Sequence, residues 1–303
     1  MRDYHTPVML AEVLRYIHIK KGFWYIDCNL GGGGHTEGVL EKGGKVLGID
    51  LDPEAIMEVA QKYHLKTNMF EGRLQATSEN LILCQSNFSH LKLVVEKYNI
   101  GRVSGVLFDL GVSSHQLETT ERGFSFNVDA PLDMRMDQNY GVSAADLING
   151  LHEKELAQLF WKFGEERFAK GIAKKIIRAR QNKPVTTTNQ LAQIILSSRP
   201  RSKADRTHPA TRVFQALRIA VNDELNSLTE SLPQTLDILE PEGRLIVISF
   251  HSLEDRIVKD FMKSEEQKCS IKIITQKPIE PTEKEIEENP RSRSGKLRVA
   301  EKI

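Results

Sequence analysis

Long apolar runs are missing from this 303-residue chain. No stretch approaches the roughly 20 residues that a membrane-crossing helix needs, and the amino terminus Met1-Arg2-Asp3-Tyr4-His5 carries no signal-peptide pattern. The expected setting is therefore the cytosol, with no membrane partner. Cysteine is scarce: Cys28, Cys84 and Cys269 stand far apart with no Cys-x-x-Cys pair. That spacing indicates neither a disulfide framework nor a thiolate zinc site, and no metal is expected. Net charge is nearly absent as well, at +1, which by itself makes no case for nucleic acid. Internal repeats and low-complexity segments are also lacking. What is present, 40% hydrophobic and 27% charged residues, describes a soluble globular protein of one elaborated domain or two.

The chain is organised around Trp24-Tyr25-Ile26-Asp27-Cys28-Asn29-Leu30, followed by Gly31, Gly32, Gly33, Gly34, then His35-Thr36. This reads as strand, tight turn and helix. Glycines permit positive φ and close approach of a ligand to the backbone, while a helix starting near His35 points free N–H groups at the same space. The next strand, Lys45-Val46-Leu47-Gly48-Ile49-Asp50, ends in an acid nineteen positions after Gly31. In a Rossmann-type unit that is about where a carboxylate binds ribose hydroxyls. Dinucleotide and S-adenosylmethionine sites share this geometry. Asp27, ending the first strand, favours a cationic ligand over a pyrophosphate, because carboxylate and phosphate repel.

Taken in order, the chain reads β-α-β-α. A helix over about 10–17 is marked at its start by Thr6 and Pro7, and another opens at Asp52-Pro53-Glu54. Residues 64–79 are polar with little periodic signal, and 80–85 read as a third strand leading to Phe88, which suits the face of an adenine or the core equally. The run 103–109 is a buried parallel strand ending at Asp109, then Gly111. Asp27, Asp50, Phe88 and Asp109 would thus collect outside the carboxyl ends of the strands, where open α/β sheets bind ligands.

After Asp109 the alternation stops. Helices are expected over 143–149, 153–163, 167–180 and 188–197, followed by a long helix over 210–239, bent at Pro233. A strand over 243–250, a helix over 252–263, a strand near 271–275 and a last strand over 296–302 complete the reading. The expected fold is α/β: a mostly parallel sheet built from 1–114 and 206–303, interrupted by a helical insertion at 115–205. Between Lys162 and Arg212 there are thirteen Lys or Arg against three acids, a candidate phosphate-binding face.

Two segments carry chemistry. The stretch from Gly111 through His115-Gln116, Arg122-Gly123-Phe124-Ser125-Phe126 and Pro131-Leu132-Asp133-Met134-Arg135-Met136-Asp137 is dense in polar, turn and aromatic residues, as a substrate-gripping loop would be. Asp129, Asp133 and Asp137 suggest a metal, but the interleaved Arg135 favours ion pairing. Ser249-Phe250-His251-Ser252-Leu253-Glu254-Asp255-Arg256 follows the last core strand, with Ser252 and Asp255 spaced as a capping box and His251 at the ligand edge.

These strings, with His5-Thr6-Pro7-Val8, Gly164-Glu165-Glu166-Arg167, His208-Pro209-Ala210-Thr211, Phe214-Gln215-Ala216-Leu217-Arg218 and Asn289-Pro290-Arg291-Ser292-Arg293-Ser294, resemble the bacterial 16S ribosomal RNA cytosine-N4 methyltransferases, also called MraW, across essentially the whole chain. The resemblance implies a class I methyltransferase core (Rossmann-like), S-adenosylmethionine as cofactor, and a cytidine in the decoding region of 16S rRNA as target. The partner would be the small ribosomal subunit or its precursor, with a homodimer left open. Its cofactor contacts would fall on Gly31, Gly33, Gly34, His35, Asp50, Phe88, Asp109 and Gln116, and its substrate contacts on Asp133, Arg135, Ser252 and Arg291. Asp109 and His251 are the catalytic candidates, Asp109 more for binding the cofactor than for accepting from N4. Asn29 stands where the family usually has threonine, and residues 64–85 depart from its pattern. A small-molecule methyltransferase and a nonenzymatic ribosome-assembly factor are the competing readings.

Overall fold

A computed structural model describes residues 7–139, 141–198 and 207–303. The chain divides into two compact units, one of residues 1–113 with 225–303 and the other of 114–224. The first contains α1 (Leu10–Tyr16), β1 (Trp24–Asp27), α2 (Gly34–Glu41), β2 (Lys45–Asp50), α3 (Pro53–Lys62), β3 (Thr67–Phe70), β4 (Arg73–Thr77), β5 (Leu81–Gln85), α4 (Leu91–Lys97) and β6 (Val103–Asp109). The second holds α5 (Ser114–Glu118), α6 (Ala144–Gly150), α7 (Glu153–Gly164), α8 (Ala169–Asn182), α9 (Thr188–Ser198) and α10 (Thr211–Asn222). The chain then returns through α11 (Glu224–Ile238), β7 (Leu239–Ser249), α12 (Ser252–Gln267), β8 (Ile271–Ile273), α13 (Glu283–Glu288) and β9 (Lys296–Lys302).

Among the described residues nine strands form one sheet in the order β3-β4-β5-β2-β1-β6-β7-β9-β8. The central strands β5, β2, β1, β6 and β7 are parallel, whereas β9 runs antiparallel between β7 and β8. The central strands are apolar over most of their paired length because they are covered on both faces, with Glu240, Glu242 and Arg244 confined to the first half of β7. Neighbouring residues alternate: Ile26, Leu47, Phe108 and Val247 enter one core cluster, and Tyr25, Val46, Leu107 and Ile248 the other. In the second unit Leu156, Phe160, Ile172, Ile176, Leu191, Ile195, Val213 and Leu217 are buried at helical spacing.

Several local expectations change. The irregular 64–79 segment is the hairpin β3–β4, closed by Glu71 and Gly72 at φ 51° and 75°, a two-residue turn with both centres left-handed. The helix expected over 210–239 breaks at Asp223, whose φ of 51° ends α10, while Pro233 sits inside α11. Consequently α10 belongs with the second unit, which runs to Glu224 rather than stopping at 205. The N-cap of α1 is Met9, with φ 53°, rather than Thr6, which lies outside the described residues. So do Arg199, Arg201, Lys203 and Arg206 of the basic run. Among the described residues no helix is long and apolar enough to cross a membrane.

Candidate active site

Parallel pairing brings the ends of β1, β2, β5, β6 and β7 to one edge. Asp50 is level with Gln85, Asp27 with Gly48 and Leu107, and Asp109 with Ile248. Between them runs the glycine turn. Gly31 and Gly33 have φ of 49° and 73°, and Gly33 precedes α2 without a side-chain cap, leaving the first N–H groups of the helix to other partners. Gly33 and Gly34 are needed for packing as well. A Cβ on Gly33 would lie 2.9 Å from Val59 Cγ2, and one on Gly34 would lie 2.8 Å from Pro7 Cγ.

Asp50 braces the turn. Its Oδ2 accepts the Gly31 N–H at 2.9 Å and its Oδ1 the Asp52 N–H at 2.9 Å. A carboxylate has about four acceptor positions, so capacity for hydroxyl donors remains. Burial, then the nearby Asp52 charge, pushes the Asp50 carboxyl up to about 7.

Three acidic groups surround one imidazole. His35 is 4% exposed, and its Nε2 lies 3.3 Å from Asp109 Oδ2. Asp27 Oδ2 accepts the Thr36 hydroxyl at 2.8 Å, and Asp27 Oδ1 the Asn29 N–H at 3.3 Å. Burial pushes the Asp27 carboxyl up to about 6, against the opposing pull of His35. For His35, burial disfavours the charged ring, but contact with Asp109 and the charges of Asp27 and Glu285 outweigh it and raise the pKa. Glu285, on α13, accepts the Met9 N–H at 2.6 Å and so ties the carboxyl-terminal segment to the start of the chain.

The sequence candidates separate. Gly31, Gly33, Gly34, His35, Asp50 and Asp109 gather at the edge just described. Phe88 follows β5 in a short 3-10 turn and meets Phe108 edge to face at 5.6 Å, packed against the core. Gln116 is buried in α5, in the second unit. Asp133 and Arg135 pair with each other: Arg135 Nε donates to Oδ1 at 3.0 Å and Nη2 to Oδ2 at 2.7 Å. His251, rather than Ser252, is the N-cap of α12, and its box partner is Glu254, not Asp255. Its ring is engaged there, Nε2 lying 3.1 Å from Glu254 Oε1. Asp255 instead receives Arg298 Nε at 2.6 Å. Ser252 and Arg291 are exposed. Arg291 lies in the turn leading to β9, whose first residue pairs with Ser249 at the same sheet edge. Asn29, which the sequence marks only as a departure from the family's threonine, joins the site, as do Thr36 and Glu285, to which the sequence assigns no role. A hydroxyl in the first turn after a glycine loop was a usable signal for Thr36. Glu285 offered none, because its partner is 276 positions away.

The sheet order, with its reversed strand between the last two parallel ones, and the glycine turn facing acidic strand ends define a class I methyltransferase. Residues 2–303 match the MraW methylase family, and the chain belongs to that family. It is 44% identical to ribosomal RNA small subunit methyltransferase H of Carboxydothermus hydrogenoformans, over 99% of this chain and 98% of that one. It is 47% identical to the protein of the same name from Geotalea uraniireducens over the full length of both. The cofactor of this methylase is S-adenosylmethionine. The edge suits such a polar cationic group. Beyond the acids, Asn29 Oδ1 and His35 Nδ1 are buried beside the turn and lack hydrogen-bond partners among the described residues.

Proposed function

We propose that this protein transfers a methyl group from S-adenosylmethionine to the exocyclic N4 of a cytidine in the decoding region of 16S rRNA. Support comes from membership of the methylase family and from relatives named for the small-subunit RNA they act on. The observation that carries the chemistry is the convergence of Asp27, Asp50 and Asp109 on one sheet edge around the glycine turn and His35. Asp50 accepts from the ribose hydroxyls of the donor, and the first turn of α2, entered through the glycines, offers N–H groups. Asp27 and Asp109 provide the negative field that favours a sulfonium and an ammonium.

Bound there, S-adenosylmethionine supplies an electrophilic methyl on sulfur. The N4 lone pair is delocalised into the cytosine ring, so the protein must hold the amino group in line and accept from its N–H; positioning and electrostatics are the main terms. The base must leave its stack to arrive. Asp109, gripped by His35, is assigned to the donor side. Asp133, Arg135, Ser252 and Arg291 are assigned to the RNA, with residues 115–205 as its receiving segment.

Transfer of labelled methyl from S-adenosylmethionine to small ribosomal subunits, to their naked RNA and to a panel of metabolites tests the reading. Label in RNA cytidine, lost in Asp50→Ala and Gly33→Val, is expected. Label in metabolites alone points to a small-molecule enzyme, and subunit binding without donor binding points to an assembly factor.

A further inference from the structure

The helical unit carries a surface that the donor site does not use. Between Lys162 and Lys183 there are eight basic residues, and seven of them, Lys162, Arg167, Lys170, Lys174, Lys175, Arg178 and Lys183, are exposed. Glu165 is the exposed acid in that span, since Glu166 is fully buried. On α8 the apolar face of Ile172, Ala173 and Ile176 turns inward, which leaves Lys170, Lys174 and Arg178 along the outer face, about 6 Å apart along the axis. Two large aromatics flank the corner that joins α7 to α8: Trp161 is 70% exposed and Phe168 52% exposed.

The corner is rigidly mounted. Gly164 packs so closely on α10 that a Cβ there would lie 2.4 Å from Arg212 O. Arg212 Nη1 donates to Glu165 O at 2.9 Å, and Gln215 Nε2 donates to Phe163 O at 3.2 Å, so the carbonyls ending α7 are held by α10. A large exposed indole one turn before a fixed corner, with a cationic row along the outer face of the helix that follows it, is the combination that binds single-stranded nucleic acid: a stacking platform with a track for phosphates. Scattered exposed aromatics alone would say nothing, but here the charge row and the ring occur together.

We propose that the α7–α8 corner docks a single-stranded or looped RNA segment, with a base stacked on Trp161 and the adjoining phosphates lying along Lys170, Lys174 and Arg178. This deepens the rRNA reading and rests on it. An exposed aromatic stacks only on unpaired bases, so the site prefers single strands to duplex.

The test uses the full-length protein with a short unstructured RNA oligonucleotide and an RNA duplex of the same composition, over a salt series. Trp161→Ala is expected to bind the single strand roughly tenfold more weakly, with Trp161→Tyr restoring most of the affinity. The triple variant Lys170→Gln, Lys174→Gln, Arg178→Gln is expected to flatten the slope of log K against log salt by about 2. Unchanged S-adenosylmethionine binding by calorimetry shows that the variants are folded. Single-strand affinity within twofold of wild type in Trp161→Ala, or an unchanged salt slope in the triple variant, overturns the proposal. So does loss of binding to an acidic ribosomal protein with RNA binding intact. If wild type methylates small-subunit RNA while these variants bind RNA normally, only the docking site falls. If wild type neither binds nor methylates RNA, the functional reading falls with it.

Discussion

His35 Nε2 lies 3.3 Å from Asp109 Oδ2, with the two side chains 4% and 9% exposed. The contact joins the first turn of α2 to the end of β6, so the glycine turn and the fourth parallel strand from the β5 side are coupled through one imidazole. Removing that ring takes away the Asp109 contact and the His35 charge that offsets the mutual repulsion of Asp27 and Asp109, a repulsion that is costly at a buried site. His35→Ala should bind S-adenosylmethionine roughly ten- to a hundredfold more weakly. Isothermal calorimetry decides this, and an affinity equal to wild type would remove the pair from the donor site.

Asp27 should make stability depend on pH in a definite direction. Its carboxyl rises from 3.8 to about 6 on folding. A raised value means that the native state holds the proton longer, so this contribution is full below the unfolded value and is lost as pH climbs through about 6. Asp27→Asn cannot ionise. Its stability relative to wild type should therefore increase between about pH 4 and pH 6 and then level off, by on the order of 3 kcal/mol. Thermal melts of both proteins across that range provide the check. A difference independent of pH would contradict the buried, proton-holding carboxyl.

Much of this site was legible because strand ends are short-range signals. The glycine turn, Asp50 and Asp109 each follow an apolar run that cannot be anything but a covered strand once both of its faces are filled. The hairpin β3–β4 escaped because β3 is exposed at every position, leaving no alternation to read. The capping box at α12 lies one residue from where the sequence puts it, since Ser252-x-x-Asp255 has the better sequence signature while the cap is His251 and the helix already begins at Ser252. The break at Asp223 was hidden as well. Asp is unremarkable inside a helical pattern, and only the left-handed φ identifies it. Contacts such as Met9 with Glu285 depend on the finished fold.

Gly123 should be intolerant of any side chain. Its φ is 70°, and a Cβ would lie 2.2 Å from Pro131 O. This turn sets the 131–137 loop: Met134 N donates to Arg122 O, and the buried Arg122 donates to the carbonyls of Arg135 and Met136. Gly123→Ala should cost about 3 kcal/mol or more. Urea denaturation measures it, and a loss under about 1 kcal/mol would show that the loop can yield.

Asp133 presents Arg135 through a bidentate pair. Freed from its carboxylate, the guanidinium loses its fixed orientation while keeping its charge. Asp133→Ala should therefore raise KM for RNA several-fold while leaving the calorimetric affinity for S-adenosylmethionine within about twofold. Equal losses for both ligands would place Asp133 in a general structural role.

The central claim is methyl transfer to a cytidine amino group in small-subunit RNA, and mass spectrometry of digested ribosomal RNA tests it most directly. RNA from cells lacking this protein should have lost a methyl group from N4 of one decoding-region cytidine, restored by the wild-type chain and not by Asp50→Ala. An unchanged methylation pattern at cytidine N4 in those cells would contradict the account.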